Sequence, residues 1–353
     1  MRLIDSLRAW FAIVSLAALC SAAQAQQASC DRACLNTQAD ALLNSLVAHS
    51  IANLPLTAEY AATADGQPAA LPMMTLWRTV TGVKHKYYVV DSSSSQIFLI
   101  ATLSEGPNDA LLFGRLKVAG AKISELELYT DRSRANGGFQ FDAAGSANFP
   151  SAWTVKLEPK QRTSRAQLLT FGRSIFDNTL DGPVPGPGCV LMENGKIVGE
   201  DPEVLKSIMA TPMDISKMSR NADGSVQIPC GVPPGRPTDK KARTDLIDEE
   251  QGIVVSFAVV SGMVEPYLAT NPTVSAFVPF AMLSPYTDML KKQQDSAKFN
   301  NPAMRPMPAA LTVAELFRIY DGKLQGMMML QNMAPTGAVS PWVARIHVHS
   351  DLR

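Results

Sequence analysis

The sequence contains the same order of motifs twice, and this internal repeat constrains the fold more than any other feature. Asp65-Gly66 recurs later as Asn194-Gly195, and each pair lies between two short segments of strand-forming residues. Such pairs favour the tight turns that join antiparallel strands. We therefore predict one hairpin at the start of each copy of a repeated unit.

The apolar strand segments of the two copies also correspond. Residues 96–104 (QIFLIATLS) match residues 252–261 (GIVVSFAVVS). Residues 115–128 and residues 316–330 each read as a strand, a glycine turn and a second strand. Because helix, hairpin, strand and hairpin recur in the same order, we expect two copies of one domain.

The spacing between matching motifs grows along the chain, so the second copy is expected to carry insertions. Two stretches fit this expectation, a polar, proline-rich one and one rich in proline and methionine. Long segments of this kind in a compact domain are lids, interfaces or disordered regions. The predicted units are a first domain at residues 29–133, a linker at 134–162 and a second domain at 163–345, with insertions near 200–245 and 263–310.

Each copy begins with a segment of helical periodicity. Apolar residues recur at helical spacing in residues 30–50 and again in residues 163–180, where Thr163 or Ser164 is the candidate N-cap. The strands that follow are joined by hairpins, which connect antiparallel neighbours. The sequence therefore predicts an α+β fold, with a curved antiparallel sheet following a long helix in each copy.

The first 25 residues have the form of a signal peptide. Arg2 and Arg8 precede an apolar run, and Ala23-Gln24-Ala25 has the small-residue pattern of a cleavage site. Cys20 is a candidate lipid attachment site in a poorly matching context. We therefore expect a mature protein that is secreted or periplasmic, without a membrane span.

Four cysteines remain after such a cleavage, at positions 30, 34, 189 and 230. An oxidising compartment favours their pairing, and four cysteines allow three connectivities. Pairing within each copy, Cys30 with Cys34 and Cys189 with Cys230, is the simplest arrangement. A bridge inside a regular helix is strained, so the first turn is expected to be irregular. A zinc site is the alternative, although it lacks ordered histidine partners.

Charge and motifs exclude several functional classes. The chain has 32 basic and 32 acidic residues without a basic stripe, which argues against a nucleic-acid partner. The serine nucleophile elbow, the phosphate-binding P-loop and the His-Glu-x-x-His zinc motif are all absent from the sequence. We expect no cofactor and no metal.

The helical segments ADALLNSLVAHS and RAQLLTFGRSIF, the two hairpin turns and the phrase TVAELFRIYDGKLQ resemble the nuclear transport factor 2-like superfamily. This superfamily includes ketosteroid isomerases, polyketide cyclases and limonene epoxide hydrolase. The resemblance covers most of the mature chain in two passes. It implies two cone-shaped domains, each a curved antiparallel sheet wrapped around its N-terminal helix, packed as an internal pseudo-dimer. It also implies an apolar pocket inside each cone.

Two residues are the candidate proton handlers of the first cone. His85 alternates with Tyr87 on one strand, so it is a candidate acid or base near neutral pH. Its alternative is an exposed histidine beside Lys84 and Lys86. Tyr60 would supply a pocket hydroxyl, as the resemblance implies, or would pack with its hydroxyl at the rim.

Further residues are candidates to line a pocket. The resemblance puts Trp77 and Arg78 at a pocket mouth, with a core position as the alternative for Trp77. Tyr87 is expected to line the first cavity. Arg115 and Arg318 read as matching positions and would serve either as cavity cations or as partners of surface carboxylates.

Arg243 is a candidate ligand-binding residue because it lies near Asp245 and Asp248. This set is similar to the Asp-Arg-Asp set of epoxide-opening cone enzymes, whose members come from separate strands rather than one segment. Asp91 and Asp248 match between the copies and precede strand turns, where aspartate bonds the local backbone. A histidine pair at positions 347 and 349 lacks partners suited to a metal.

These features predict an exported protein that binds or transforms a small apolar or aromatic molecule. If it is an enzyme, cofactor-free acid/base chemistry is expected, as in an isomerase, dehydratase or lyase, because a dry pocket shifts the pKa of one residue. The alternative is a non-catalytic periplasmic interaction module with filled cones and a protein contact through residues 263–310.

Overall fold

Strands dominate the structure, a computed structural model. It describes residues 30–132, 149–177, 179, 182–197, 230, 237–264, 277–280 and 307–343. The predicted signal peptide, Cys20, His347 and His349, as well as most of the linker and of both insertions, lie outside the described residues. The described strands form two sheets, one from each half of the chain.

The first sheet has six strands in the order β2-β1-β6-β5-β4-β3. Its strands are β1 (Leu56–Ala64), β2 (Gln67–Pro68), β3 (Gly82–Asp91), β4 (Gln96–Glu105), β5 (Asn108–Ala119) and β6 (Lys122–Asp131). Strands β3 to β6 form an antiparallel meander, and β1 joins it by pairing parallel to β6.

The second sheet has seven strands and repeats this arrangement. Its strands are β7 (Pro185–Glu193), β8 (Lys196–Ile197), β9 (Arg243–Asp248), β10 (Ile253–Val264), β11 (Phe277–Pro279), β12 (Met307–Tyr320) and β13 (Lys323–Ala334). Their order is β11-β10-β12-β13-β7-β8, with β9 also paired to β10. β7 pairs parallel to β13, as β1 does to β6.

The two predicted hairpin turns occupy equivalent positions in the sheets. Asp65 and Asn194 have positive φ angles of 49° and 42°, as this turn requires. Asp65 Oδ1 accepts the backbone N–H of Thr130 on β6, and Asn194 Oδ1 accepts that of Gln331 on β13. Each turn is thereby bonded to the strand that pairs in parallel with the first strand of its hairpin.

Four α-helices are present among the described residues, and only two exceed one turn. These are α1 (Arg32–Val47), α2 (Leu76–Thr79), α3 (Ser151–Thr154) and α4 (Arg165–Ser174). Asp31 caps α1 by accepting the N–H of Cys34 at 2.9 Å. Ser164, one of the two predicted N-caps, begins α4 with its side chain bonded to the N–H of Gln167.

Alternate residues of each central strand face different layers. On β4, Ile97 and Leu99 pack toward α1, whereas Phe98 and Ile100 pack toward the second sheet. On β10, Val254 and Ala258 pack toward α4, whereas Val255 and Phe257 face the first sheet. The sheets therefore pack face to face, and each carries one longer helix on its outer side.

The predicted α+β fold with helix-wrapped cones is wrong. The described chain is mostly β, its sheets are mixed rather than purely antiparallel, and its helices are few and short. The reason lies in strands that are apolar on both faces: in β4, seven consecutive residues from Ile97 to Leu103 are buried. One helix covers one face of such a sheet, so the other face packs on the second sheet.

Two reciprocal ion pairs connect the layers. Arg32, at the start of α1, binds Asp248, at the end of β9, with Nη2 to Oδ1 at 2.6 Å. Arg165, at the start of α4, binds Asp91, at the end of β3, with Nη2 to Oδ2 at 2.7 Å. Each half of the chain thus supplies a cation to the buried carboxylate of the other half.

The same two carboxylates accept backbone N–H groups across the halves. Asp248 accepts from Val90 at 2.8 Å, and Asp91 accepts from Ile247 at 3.1 Å. Asp91 also bonds the N–H of Ser93 in its own turn, as predicted. These bonds tie the end of each strand to a carboxylate of the other half.

Both disulfides pair cysteines within one half, Cys30 with Cys34 and Cys189 with Cys230. The simplest of the three connectivities is therefore confirmed. Cys30 precedes the N-cap of α1, so the first bridge does not lie inside a regular helix. No helix among the described residues has the length and apolar character needed to cross a membrane.

Candidate functional site

The space between α1 and the first sheet is filled by side chains. Leu35, Leu42 and Leu46 of α1 are fully buried against the apolar residues of β4. Trp77 belongs to this core and is 3% exposed. The alternative position predicted for Trp77, in the core rather than at a pocket mouth, is the one that the structure has.

The two candidate proton handlers do not come together. His85 is exposed on β3, where it lines a surface groove of about 460 Å³ with Lys84, Lys86 and Asp40. Tyr60 is half-buried on β1 at the margin of the first core. Three strands separate β1 from β3, which is roughly 19 Å across a sheet.

Arg78 and Tyr87 also lie apart. Arg78 is exposed, and its Nη2 lies 3.8 Å from the sulfur of Met73. The Tyr87 hydroxyl lies 2.8 Å from Gln251 Oε1, and its ring stacks on Phe149 with centroids 4.3 Å apart. Burial raises the pKa of Tyr87, so its hydroxyl stays neutral and joins the two sheets.

Arg115 and Arg243 form a buried ionic cluster that joins the two sheets. Arg115 Nη2 lies 2.8 Å from Glu125, and its Nε lies 3.2 Å from Glu127 Oε2. Arg243 Nη2 lies 2.6 Å from Glu127 Oε1, and its Nη1 lies 2.6 Å from Asp245 Oδ2. Burial alone would raise the pKa of Glu127, but the two guanidinium groups hold it below its usual value.

Arg318 is not equivalent to Arg115. Arg115 lies opposite Phe98 on β4, whereas Arg318 lies opposite Ile253, two residues before the β10 position that corresponds to Phe98. Arg318 is 1% exposed and donates to the carbonyls of Gln251 and Val155. Burial lowers its pKa. The two arginines therefore have different partners and do not line one kind of cavity.

A cavity of about 410 Å³ lies at the edge of β10. β9 pairs with β10 up to the Arg243–Phe257 pair, and β11 pairs with the same edge from Gly262 onward. Residues 258–261 lie between these two ladders and border the cavity. A gap in strand pairing thus leaves an opening in an otherwise closely packed sheet.

The cavity has an apolar wall and polar groups at its mouth. Its apolar side chains include Phe257 and Val260 of β10, together with Phe280, Val339 and Val343. Ser261, Thr312 and Ser340 supply hydroxyl groups. Such a combination can hold an apolar molecule and orient it by a few polar contacts.

Arg243 is the one predicted site residue that lines this cavity. Its guanidinium lies 4.9 Å from the centroid of the Phe257 ring and is neutralised by Glu127 and Asp245. It therefore stabilises the cavity floor and offers no free charge. The proposed similarity to an epoxide-opening Asp-Arg-Asp set does not extend to Asp248, which binds Arg32 instead.

Sequence reasoning missed Lys240 and Lys241, which also line the cavity. They lie in residues 200–245, which the sequence predicts as an insertion. The phrase TDKKARTDLID contains two adjacent lysines shortly before β9, but residues 243–248 show no polar/apolar alternation that would have marked a strand. Asp239, before them, accepts the N–H of Val259 at 2.9 Å and so fixes this turn to β10.

Comparison with known proteins gives similarity without a function. A family model described as a domain of unknown function (DUF8021) matches residues 161–329, which is less than half of the chain. No curated protein matches the chain. One matching solved structure is titled a crystal structure of a de novo designed protein with curved beta-sheet. It has 13% identity and a TM-score of 0.26, over 29% of this chain and 88% of that chain.

The resemblance to the nuclear transport factor 2-like superfamily stays a prediction, since none of these comparisons bears on it. What the comparisons establish is that the second half of the chain is similar to a family whose function is unknown.

Proposed function

We propose that this protein is an exported, non-catalytic binding protein that holds a small molecule with an apolar body in the cavity beside β10. The observation that carries the proposal is the cavity of about 410 Å³ with its apolar wall. Ligand pockets in proteins begin at roughly 300 Å³ and are mostly apolar with a few polar groups. The cavity meets the first criterion, and its lining combines apolar side chains with a similar share of polar ones.

The positions of the titratable residues support binding rather than acid/base catalysis. General acid/base catalysis requires a proton donor or acceptor within hydrogen-bond reach of the reacting group. His85 and Tyr60 do not line the cavity. Of the charged side chains that do, Arg243 is ion-paired, both carboxylate oxygens of Asp239 accept backbone N–H groups, and Lys240 and Lys241 are exposed to solvent.

Export is supported by the disulfides and by the sequence. The two bridges form and persist in oxidising compartments. The apolar run and small-residue pattern of residues 1–25 would direct the chain to such a compartment.

Binding of a neutral apolar dye, N-phenyl-1-naphthylamine, tests the proposal. We expect a saturable rise in fluorescence with the full, oxidised chain. Ser261 lines the cavity and its side chain is exposed, so Ser261→Trp should fill the opening and weaken dye binding at least about tenfold without disturbing the core. Ser92→Trp, on the exposed β3–β4 turn, is the matched control and should bind as the parent chain does.

Two results would contradict the proposal. One is a linear, non-saturable fluorescence response with the parent chain. The other is equal dye affinity in Ser261→Trp and the parent chain, which would place the dye elsewhere on the molecule.

A further inference from the structure

The turn before β9, which carries two adjacent lysines that line the cavity, has its backbone fixed by hydrogen bonds. Asp239 Oδ1 accepts the N–H of Lys241 at 2.8 Å, and Oδ2 accepts the N–H of Val259 at 2.9 Å. The N–H of Asp239 donates to the carbonyl of Phe176, just after α4, at 3.0 Å. The backbone of this turn is therefore tied both to β10 and to the segment that follows α4.

Within the described part of the chain, the positive charge of these lysines is only partly compensated. Lys240 and Lys241 are exposed, and neither has an ion-pair partner among the described residues. Asp239 is the carboxylate nearest to them in the chain, so residues 239–241 together carry a formal charge of +1. Arg243 adds no net charge at the mouth, because two carboxylates bind it.

We infer that the ligand is an amphipathic carboxylate, with an aromatic or aliphatic body against Phe257 and Val259 and its anionic head beside Lys240 and Lys241. This inference rests on the proposed function, since it names the chemical class that the same cavity takes. The apolar wall favours the body by removing it from water, whereas the lysines favour the charged head.

The expected preference is moderate because the lysines are exposed to solvent. Pairs of exposed charges contribute little individually, so two lysines together should favour a carboxylate over its neutral amide by about threefold to tenfold. The preference should shrink as salt rises from about 0.01 M to about 1 M, where the screening length falls from roughly 30 Å to roughly 3 Å.

The test is displacement of the neutral dye from the full chain by two isosteric competitors, 4-phenylbutanoate and 4-phenylbutanamide. In the parent chain we expect the carboxylate to compete more strongly by the stated factor. The double substitution Lys240→Ala and Lys241→Ala should make the two competitors equal, with each displacement corrected for the dye affinity of the variant itself. Lys84→Ala with Lys86→Ala removes the same charge from the groove beside His85 and should keep the preference.

The outcomes separate this inference from the proposed function. If the dye binds but the two competitors are equal in the parent chain, the inference is overturned and the binding function stands. A carboxylate preference that survives the Lys240/Lys241 substitutions also overturns it. If the dye does not bind saturably, the proposed function fails and the inference fails with it.

Discussion

Asp131 lies at the end of β6 with a side chain that is almost wholly buried, at 5% exposure. Burial raises the pKa of Asp131, and the neighbouring carboxylate of Asp65 adds to this effect. Together they bring the pKa to about 7. Asp131 Oδ2 has no hydrogen-bond partner among the described residues. The native state therefore holds a proton on Asp131 that an unfolded aspartate would release near pH 4.

This linkage predicts how stability depends on pH. As pH rises from about 4 to about 7, the unfolded chain loses the proton first, so the free energy of unfolding should fall by on the order of 3 kcal/mol. Asp131→Asn keeps the shape and cannot ionise, so it should remove this fall and be more stable than the parent chain near neutral pH. Urea denaturation at a series of pH values measures both curves.

Asp109→Asn is the matched control, since Asp109 is paired with Lys84 on a partly exposed surface. Its curve should fall with rising pH as the parent curve does. Parent and Asp131→Asn curves that run parallel from pH 4 to 7 would refute the assigned linkage.

At the scale of elements, α3 packs closely on β13. A Cβ at Gly326 would lie 2.7 Å from Trp153 Nε1 and Cε2, and Trp153 is fully buried. A ring this confined has little room to move, because residues of both sheets pack around it. The short helix α3 can therefore pack this closely on β13 because residue 326 is a glycine, which has no side chain.

Gly326→Ala should consequently destabilise the protein by about 1–3 kcal/mol, the usual cost of overpacking a core. Gly82→Ala is the control, since its new Cβ would meet Ser104 at an ordinary 3.9 Å. Chemical denaturation of both variants measures the difference in unfolding free energy. Equal stability of the two variants would show that Trp153 is not confined as described.

Local patterns predicted much at this scale. Both hairpin turns, the apolar strand segments and the start of α4 follow from spacing and turn chemistry, which act between near neighbours in sequence. The parallel pairing of β1 with β6 and of β7 with β13 joins segments far apart in the chain, so no local pattern indicates it.

The mismatch of Arg115 and Arg318 has a local cause. Gly120 is the first of two residues with positive φ in its turn, whereas Gly322 is the second in its turn, after Asp321. Aligning the glycines therefore displaces the strands by one residue, which accounts for half of the two-residue offset between Arg318 and the position equivalent to Arg115. A turn of this type accepts glycine or aspartate at such positions, which hides the true register in the sequence.

At the scale of the whole molecule, the sheets bury their inner faces on each other. Phe98 of β4 meets Phe257 of β10 with ring centroids 5.8 Å apart, and the Arg115–Arg243 cluster lies in the same interface. The helix-covered faces are filled as well. Because these faces are packed, the candidate site lies at the edge of β10 and not in the predicted cone interiors. The sequence could not indicate that position, because the gap between β9 and β11 arises only when both strands pair with β10.

The location of a bound ligand tests this account most directly. A crystal structure of the full chain with 4-phenylbutanoate should show the phenyl ring against Phe257 and Val259 and the carboxylate beside Lys240 and Lys241. Ligand density between α1 and the first sheet, or between α4 and the second sheet, would contradict the account, because it would require an open pocket where the structure has a packed core.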